Sequence, residues 1–300
     1  MSKFVTNGKD IHASRLVKAF EEGLEQLKDF NVKPEGVFNS RAKVTCGNVT
    51  INSAELDLEF TVPFDDDLEP NEAEIILYNL TSDTIENFKY HSKISIEAGY
   101  EGDTGVIFSG YVEKVTTARD GVDKVTTIKC LDDISKNDLN EITYGAGTKA
   151  SKILKDLLDK TGTPIAVFKM RRDHTYENEV KIDGDLRENI KKYSEVCGVS
   201  TYVNKGKLYS RYIKEGDHTY FIVSEETGLI GSPSAYTEEQ TAEDYTDIIN
   251  GYELELLLQH RITAGAIVTL KSMDTTGEFR ACSGEHRFNP EECITKVKVY

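Results

Sequence analysis

Gly145 to Ala150 is a stretch whose residue types and spacing could bind a cofactor. It reads GAGTKA before a predicted helix, which is the G-x-G-x-x-A shape of a loop that holds the pyrophosphate of a dinucleotide. Such a loop follows a buried strand and lies within a βαβ unit. The residues before it, NDLNEITY, are short and polar, and no parallel αβ alternation follows. We therefore predict a turn before a helix cap and no cofactor.

A run of carboxylates between residues 65 and 72 could bind calcium. Its members are Asp65, Asp66, Asp67, Glu69 and Glu72. A calcium loop of the EF-hand type needs glycine at its sixth position and glutamate at its twelfth, and Pro70 occupies the sixth position here. We therefore expect a solvated acidic loop. The acidic residues on either side of Gly184 are better explained as a turn that leads into a helix cap.

Histidine, cysteine and serine could ligate metals or act as nucleophiles, but their spacing favours neither. The six histidines contain no His-Glu-x-x-His, and the five cysteines are odd in number, far apart and without Cys-x-x-Cys. Ser109 lies in a strand-like segment without the G-x-S-x-G elbow. Carboxylates are too abundant for any one pair to be assigned to acid–base work. We predict no catalytic residue, no metal and no enzyme. The histidines are at 12, 91, 174, 218, 260 and 286, and the cysteines at 46, 130, 197, 282 and 293.

The charge balance argues against specific binding of nucleic acid. The 300 residues contain 52 Asp and Glu against 36 Lys and Arg, a net charge of -16, and show no basic stripe with interleaved aromatic residues. A nucleic-acid binder needs Lys and Arg to displace phosphate counterions. The chain also has no apolar run near the roughly 20 residues of a membrane span and no hydrophobic signal region. The cysteine usage fits synthesis in a reducing cytoplasm.

The elements that would have to position any site are mostly strands. From Ala73 to Asp133, short segments alternate apolar and polar residues and are separated by turn residues, which predicts antiparallel strands that curl into a small barrel. We assign 41–147 to this first barrel module. Residues 1–40 are assigned to a helix and a linker, because apolar residues recur at helical spacing between His12 and Phe30.

The remaining chain predicts an α+β unit at 148–215 and a second barrel module at 216–300. A helix opens at Thr148 and stops at Thr161-Gly162, and a second helix has capping-box spacing at Asp185 and Glu188. A hairpin turns at Lys205-Gly206. The predicted fold class is thus α+β and β-rich, with two small antiparallel barrels flanking a compact α+β unit after an N-terminal amphipathic helix.

The order of these elements over about residues 42–300 resembles the hub proteins of phage-tail baseplates. Four stretches carry the likeness: AEIILYNLTSDTIENF before KISIEAGY; GVIFSGYVEKV before a strand ending in CLDD; TKASKILKDLLDKTGTP before ENIKKYSEVCGVSTYVNKGKLYSRY; and ITAGAIVTLKS with GEFRACSGEHRF. The N-terminal modules of tail-associated lysins look similar, and many of those continue into a peptidoglycan hydrolase. We expect no such enzymatic part in a chain that stops at Tyr300. We match the helix at 12–30 to no element of the family and leave its role open.

The resemblance implies a structural protein of the virion tail or of a phage-like particle, made in the cytoplasm of the bacterial host. It implies a homotrimer whose six barrels form a pseudo-sixfold ring, stacked on the hexameric tail tube or distal tail protein and facing a threefold central spike. DNA would pass through an acidic lumen without being held. The alternatives are a hub-like module of a tail-associated cell-wall hydrolase, or a tail-tip protein that binds a receptor or glycan.

The contacts of such a ring are expected at barrel edges near 79–88 and 99–105. The predicted interface residues are Asn79, Leu80, Asp83, Phe88, Tyr100, Glu101 and Asp103.

Overall fold

Strands dominate the part of the chain that the structure describes. The computed structural model describes residues 39–132, 138–242 and 245–300. Within these ranges, residues 239–242 and 245–248 are described as backbone only. The predicted helix at 12–30 lies outside the described residues. The strands are β1 Ser40–Cys46, β2 Val49–Asn52, β3 Leu58–Phe64, β4 Glu72–Tyr78, β5 Lys93–Tyr100, β6 Asp103–Asp120, β7 Asp123–Leu131, β8 Asp138–Tyr144, β9 Ile165–Phe168, β10 Val180–Asp185, β11 Ser200–Asn204, β12 Lys207–Arg211, β13 Asp217–Val223, β14 Leu229–Ala242, β15 Tyr245–Leu257, β16 Ala266–Lys271, β17 Thr276–Phe288 and β18 Cys293–Val299.

Three α-helices and one short 3₁₀ turn complete the described elements. The 3₁₀ turn is Glu225–Thr227, and the helices are α1 Ser82–Ile85, α2 Ala150–Lys160 and α3 Leu186–Cys197. The predicted α+β, β-rich class is therefore confirmed at this level.

One sheet of 13 strands joins the two regions that we expected to form separate barrels. Its path runs β14-β15-β18-β17-β3-β4-β7-β6-β5-β1-β2, with β16 on β17 and β13 parallel to β16. β3 pairs with β17 from Phe60 opposite Phe288 to Phe64 opposite Gly284. Because this ladder uses an edge of each region, neither region closes on itself within the described residues, and two separate barrels are not confirmed.

Each strand-rich region nevertheless has its own apolar cluster. The alternation read from the sequence places Ile75 of β4 and Ile128 of β7 opposite each other, both fully buried. A second cluster forms around Leu256 and Leu270. Phe64 of the first region belongs to the second cluster, while Phe288 belongs to the first and stacks on Phe60 at 5.4 Å between ring centroids. The two regions therefore exchange aromatic side chains at their seam.

The helical unit, residues 148–215, follows its local sequence signals. The Asp185 side chain caps α3 by accepting a hydrogen bond from the Glu188 N–H (2.8 Å), and the helix ends at Gly198 in the left-handed conformation (φ 66°). Lys205 and Gly206 both have positive φ, so they form the tight turn between β11 and β12. β12 also pairs in parallel with β9, and α2 and α3 pack together through a buried apolar cluster. The two predicted helices and the hairpin are confirmed, but a strand that we did not predict, β10, lies between β9 and α3. Asp183 to Asp185, predicted as a turn, belong to β10, which pairs with β8.

Candidate functional site

The turn at Gly145 to Ala150 is unsuited to a phosphate. Gly147 has φ 86°, and the Thr148 hydroxyl donates to the Gly145 carbonyl (2.7 Å), so the turn closes on itself. At the start of α2, the Asp173 carboxylate accepts hydrogen bonds from the backbone N–H (3.0 Å) and the hydroxyl (2.8 Å) of Ser151. A carboxylate thus already occupies the helix N-terminus where the anion of a dinucleotide would sit.

The acidic loop after β3 is not uniformly solvated. Asp67 is exposed as expected, but Asp66 is mostly buried and forms an ion pair with Arg280. Burial, followed by the charge of Asp67, raises the pKa of Asp65 to about 6. The prediction of a solvated loop is therefore wrong for Asp65 and Asp66. The sequence contains no local sign of this, because Arg280 lies 214 residues away.

The described residues hold no cluster of metal ligands. Among residues 39–132, 138–242 and 245–300, no three His, Cys, Asp or Glu side chains are placed to hold a metal ion. All five cysteines are free thiols, and burial raises the pKa of Cys197 and Cys293 to about 11, which keeps both thiols protonated. None of the described helices is long and apolar enough to cross a membrane.

Buried polar groups instead meet where the three regions touch. Arg280 of β17 is only 3% exposed, and besides Asp66 its guanidinium donates to the Tyr300 hydroxyl (2.8 Å) and the Glu215 carbonyl (3.0 Å). The Tyr300 hydroxyl donates in turn to the carbonyl of Ile213 (3.0 Å). One arginine therefore ties the loop after β3, the end of the helical unit and the last strand together.

A second arginine extends this network into the helical unit. Arg211 binds Asp217 through two bonds of 3.0 Å, and it donates to the Tyr202 hydroxyl at 3.0 and 2.6 Å. A Cβ at Gly265 would lie 2.3 Å from that hydroxyl, so only glycine fits beside it. We call this set the arginine junction; its members are Asp66, Tyr202, Arg211, Asp217, Arg280 and Tyr300.

A second junction lies between the β5–β6 turn, the β11–β12 hairpin and the loop after β15. Asp103 accepts hydrogen bonds from Arg261 (2.7 Å) and Gln259 (3.2 Å), and the Lys205 ammonium donates to the His260 carbonyl (2.8 Å). Burial lowers the pKa of Lys205 to about 8 and that of His260 to about 4. We call these five residues the histidine junction.

Both junctions have a structural action. Buried charge pairs add little net stability, but they fix one arrangement because any other arrangement leaves a charge unpaired. Together the two junctions hold the strand-rich regions and the helical unit in one arrangement. The two junctions therefore fix the positions of the surfaces that these regions present.

One of these surfaces is the β6–β7 hairpin. Every residue from Thr116 to Asp123 is exposed, and Val122 at the tip is 94% exposed. Asn79 holds its base: its N–H donates to the Lys124 carbonyl (2.8 Å), while its side chain accepts from the Lys124 N–H (3.0 Å) and donates to Asp123 (2.9 Å). This hairpin is well suited to touch another molecule, because it is exposed and also fixed at its base.

The second strand-rich region projects a longer hairpin. β14 and β15 stay paired from Tyr236 opposite Gly251 to Ala242 opposite Tyr245, whereas β18 pairs with β15 only from Tyr252 onward. The outer part of this hairpin therefore extends past the neighbouring strand as a two-stranded ribbon. Each region thus projects one hairpin beyond the sheet.

The structure separates the predicted interface residues. Asn79, Asp83 and Glu101 are exposed, although Asn79 holds the base of the hairpin and Glu101 is paired with Arg41 (3.3 Å). Leu80 and Phe88 are 5% and 4% exposed and belong to the first apolar cluster. An apolar side chain fits a core position as well as an interface position, and only the fold decides which of the two Leu80 and Phe88 occupy.

The last two predicted residues are engaged inside the chain. The Tyr100 hydroxyl donates to the Cys293 carbonyl (2.8 Å), and Asp103 is the centre of the histidine junction. Sequence reasoning missed Arg211 and Arg280, both almost fully buried in strands. A charged side chain at a position that a strand buries could have signalled such a junction.

Comparison with known proteins gives a result for the fold alone. No family model matches the sequence, and no curated protein matches it. Solved structures do match: the 43 kDa tail protein of prophage MuSo2 from Shewanella oneidensis has a TM-score of 0.63 at 8% identity, covering 87% of this chain and 97% of that one. A tail protein from Neisseria meningitidis MC58 has a TM-score of 0.60 at 7% identity, covering 87% and 96%.

A third match comes from a secretion system. An Escherichia coli component of the type VI secretion system, described as structurally similar to the T4 bacteriophage tail proteins gp27 and gp5, has a TM-score of 0.60 at 8% identity and covers 86% of this chain and 76% of that one. The described fold is therefore the fold of phage tail proteins and of this secretion component. The resemblance inferred from the sequence is confirmed at that level.

Proposed function

We propose that this chain is a structural component of a phage or phage-like tail baseplate, located in the tail of the particle and without catalysis of its own. The observation that carries the proposal is the likeness of fold to the Shewanella tail protein over 97% of that protein's length.

In finer detail, we propose a homotrimeric hub. Two strand-rich regions per copy, each with an apolar cluster and a projecting hairpin, would give six similar parts in a ring of three copies. Such a pseudo-sixfold ring could stack on a hexameric tail tube or distal tail protein, while the helical units present threefold symmetry to a central spike. Adapting one symmetry to the other would be the function.

Solution mass tests this proposal. We expect about three times 33.6 kDa by light scattering, either for the chain alone or when a tube or spike partner is added. A strict monomer in every such mixture would contradict the hub. Clearing of cell-wall material in a zymogram by the purified chain would contradict the non-enzymatic role and favour a hydrolase.

A further inference from the structure

Charge is divided unevenly between the parts of this chain. The helical unit, 148–215, contains 15 Lys and Arg against 10 Asp and Glu, in a protein whose net charge is -16. Residues 39–147 contain 9 against 21, and residues 216–300 contain 6 against 15. A basic unit within an acidic chain is complementary to other parts of the same chain, and such complementarity guides association.

Two adjacent arginines present this positive charge in fixed positions. The Arg171 guanidinium lies over the ring of Tyr212, 4.1 Å from its centroid, and Arg172 donates to the carbonyls of Val196 (3.0 Å) and Glu195 (2.8 Å) at the end of α3. Both arginines are exposed. We call Arg171 and Arg172 the arginine pair.

The arginine pair also stands apart from the other cations around it. Lys169 and Lys149 are paired with Glu215 and Asp173, at 2.8 and 3.5 Å, whereas no carboxylate of the described residues forms an ion pair with Arg171 or Arg172. Guanidinium groups that are held in place lose little entropy on binding and match a carboxylate through two parallel hydrogen bonds. The arginine pair is therefore prepared for a carboxylate from another molecule.

A surface of the opposite charge lies at the seam of the sheet. A depression of about 160 Å³, against about 30 Å³ for one water molecule, is lined by Glu59 of β3, Glu74 of β4 and Glu292 before β18. None of these three carboxylates forms an ion pair within the described part of the chain; Glu59 accepts one hydrogen bond, from the Tyr78 hydroxyl (2.9 Å). Arg287 also lines the depression and is paired with Glu285 (2.6 Å). We call this site the acidic depression.

We propose that the arginine pair of one copy docks in the acidic depression of a second copy. The inference rests on the proposed assembly of copies and names the contact that would hold them. Because the two patches differ, the contact is heterologous, and repeated contacts of this kind close into a ring when the rotation permits. Nucleic acid is the less favoured occupant of the arginine pair, since the surrounding acidic protein repels a polyanion.

Charge reversal tests the docking directly. We expect Arg171→Glu with Arg172→Glu to raise the dissociation constant of self-association at least about tenfold, and Glu59→Lys with Glu74→Lys to do the same. Combining all four substitutions should restore association to within about threefold of the wild type. Added salt, from about 50 to about 500 mM, should weaken the wild-type assembly as screening predicts.

Two controls separate this contact from a general effect. Lys207→Glu with Lys214→Glu makes the same change of charge at exposed positions of the helical unit outside the arginine pair, and should leave association unchanged. Since Arg172 also caps α3, Arg171→Glu with Arg172→Gln retains a hydrogen-bond donor there and should still weaken association. Unfolding curves confirm that each variant is folded.

The outcomes are distinguishable. Wild-type assembly that is indifferent to reversal of the arginine pair overturns the docking and leaves the proposed function standing. A wild type that stays monomeric with and without tail partners overturns both. Binding of duplex DNA that reversal abolishes, with assembly unchanged, assigns the arginine pair to nucleic acid and overturns the docking.

Discussion

The cations of the arginine junction are guanidinium groups, which stay charged at every pH the protein meets, whereas the histidine junction contains an imidazole and an ammonium group whose pKa values are lowered by burial. In the first, Arg211 and Arg280 each face a carboxylate within hydrogen-bond distance. In the second, His260 Nδ1 lies 3.9 Å from Asp103 and has no hydrogen-bond partner in the described structure. Both junctions connect the same three regions, and each leaves one buried nitrogen without a hydrogen-bond partner in the described structure, His260 Nδ1 in one and Arg280 Nη2 in the other. Only the imidazole can take up a further proton.

The difference shows that the two junctions should fail under different conditions. The arginine junction fails when one partner of a charge pair is removed, because the other charge stays buried. The histidine junction fails when protons are added, because neutral His260 must then become charged, and so must His286, a fully buried histidine near His260 and Lys205 that is outside the junction as defined. Five measurements would break or sharpen this contrast.

The largest effect is expected from Arg280→Met. The substitution leaves the Asp66 carboxylate buried without its cation, so the free energy of unfolding should fall by about 3–5 kcal/mol in denaturant titration. The double variant Asp66→Asn with Arg280→Met removes the stranded charge and should recover a large part of that loss. Equal losses in the single and double variants would show that the charge pair is not what Arg280 supplies.

Acid should act on the histidine junction next. Burial lowers the pKa of His260 to about 4 and that of His286 to about 3, below the value of about 6.5 for an unfolded histidine. The contribution of these two histidines to stability is therefore fully present above about pH 6.5. It is lost as the pH falls towards their pKa values in the folded state, because the unfolded chain takes up the protons first. We expect a net loss of about 2 kcal/mol between pH 7 and pH 5.5.

Asp65, beside the arginine junction, should act in the opposite direction. Its pKa is raised to about 6, so it takes up a proton in the folded state over the same pH range and offsets part of the loss. In Asp65→Asn the decline between pH 7 and pH 5.5 should be steeper by about 1 kcal/mol. A decline of equal or smaller slope in that variant would contradict the assignment.

Gly105→Ala tests the packing of the histidine junction without changing charge. A Cβ at this position would lie 2.1 Å from His260 Cδ2, so the ring must move, and we expect a loss of about 1.5 kcal/mol. Gly145→Ala, with no atom within 4 Å of the new Cβ, is the matched control and should lose nothing. In a His260→Ala background, where the ring is missing, Gly105→Ala should cost much less. A double-mutant cycle measures this difference as the coupling between the two positions.

The smallest effect is expected outside both junctions, at Asn79. Asn79→Ala removes the side-chain bonds that hold the β6–β7 hairpin and keeps a Cβ at φ 56°, yet the site is exposed, so unfolding should change by less than about 1 kcal/mol. Hydrogen exchange of residues 117–124 should rise clearly. Asn79→Gly relieves the backbone strain and isolates the contribution of the side chain.

Local signals explain which elements were predictable. The helix caps at Asp185 and Gly198 and the turn at Lys205-Gly206 depend on residues within four positions of each other, and the structure reproduces all of them. The pairing of Phe60 with Phe288 joins residues more than 200 positions apart, so no neighbouring residues indicate it. That pairing, and not the strands themselves, decides whether two barrels or one continuous sheet forms.

The residues of the candidate site also divide into those set by near neighbours and those set by distant ones. Leu80 and Phe88 lie between β4 and β5, where the sequence predicts an exposed barrel edge and hence an interface. The fold buries both side chains. Ser210 and Arg211 point to opposite faces of β12, and Ser210 lies on the face that the helical unit buries. Arg211 would face solvent if the helical unit stood alone, but the second strand-rich region covers that face of β12. Burial of both faces of a strand depends on distant parts of the chain, so charged residues there are the hardest to place from sequence.

The seam between β3 and β17 has a mechanical consequence. Five residue pairs of this antiparallel ladder, from Phe60–Phe288 to Phe64–Gly284, connect the two strand-rich regions through hydrogen bonds perpendicular to the strands. A force pulling the regions apart along the strand direction would stretch these bonds simultaneously, in shear, whereas a force across the strands would open them one at a time. The protein should consequently be stiff along one axis and weaker across it, and it would transmit a push along β3 and β17 with little bending.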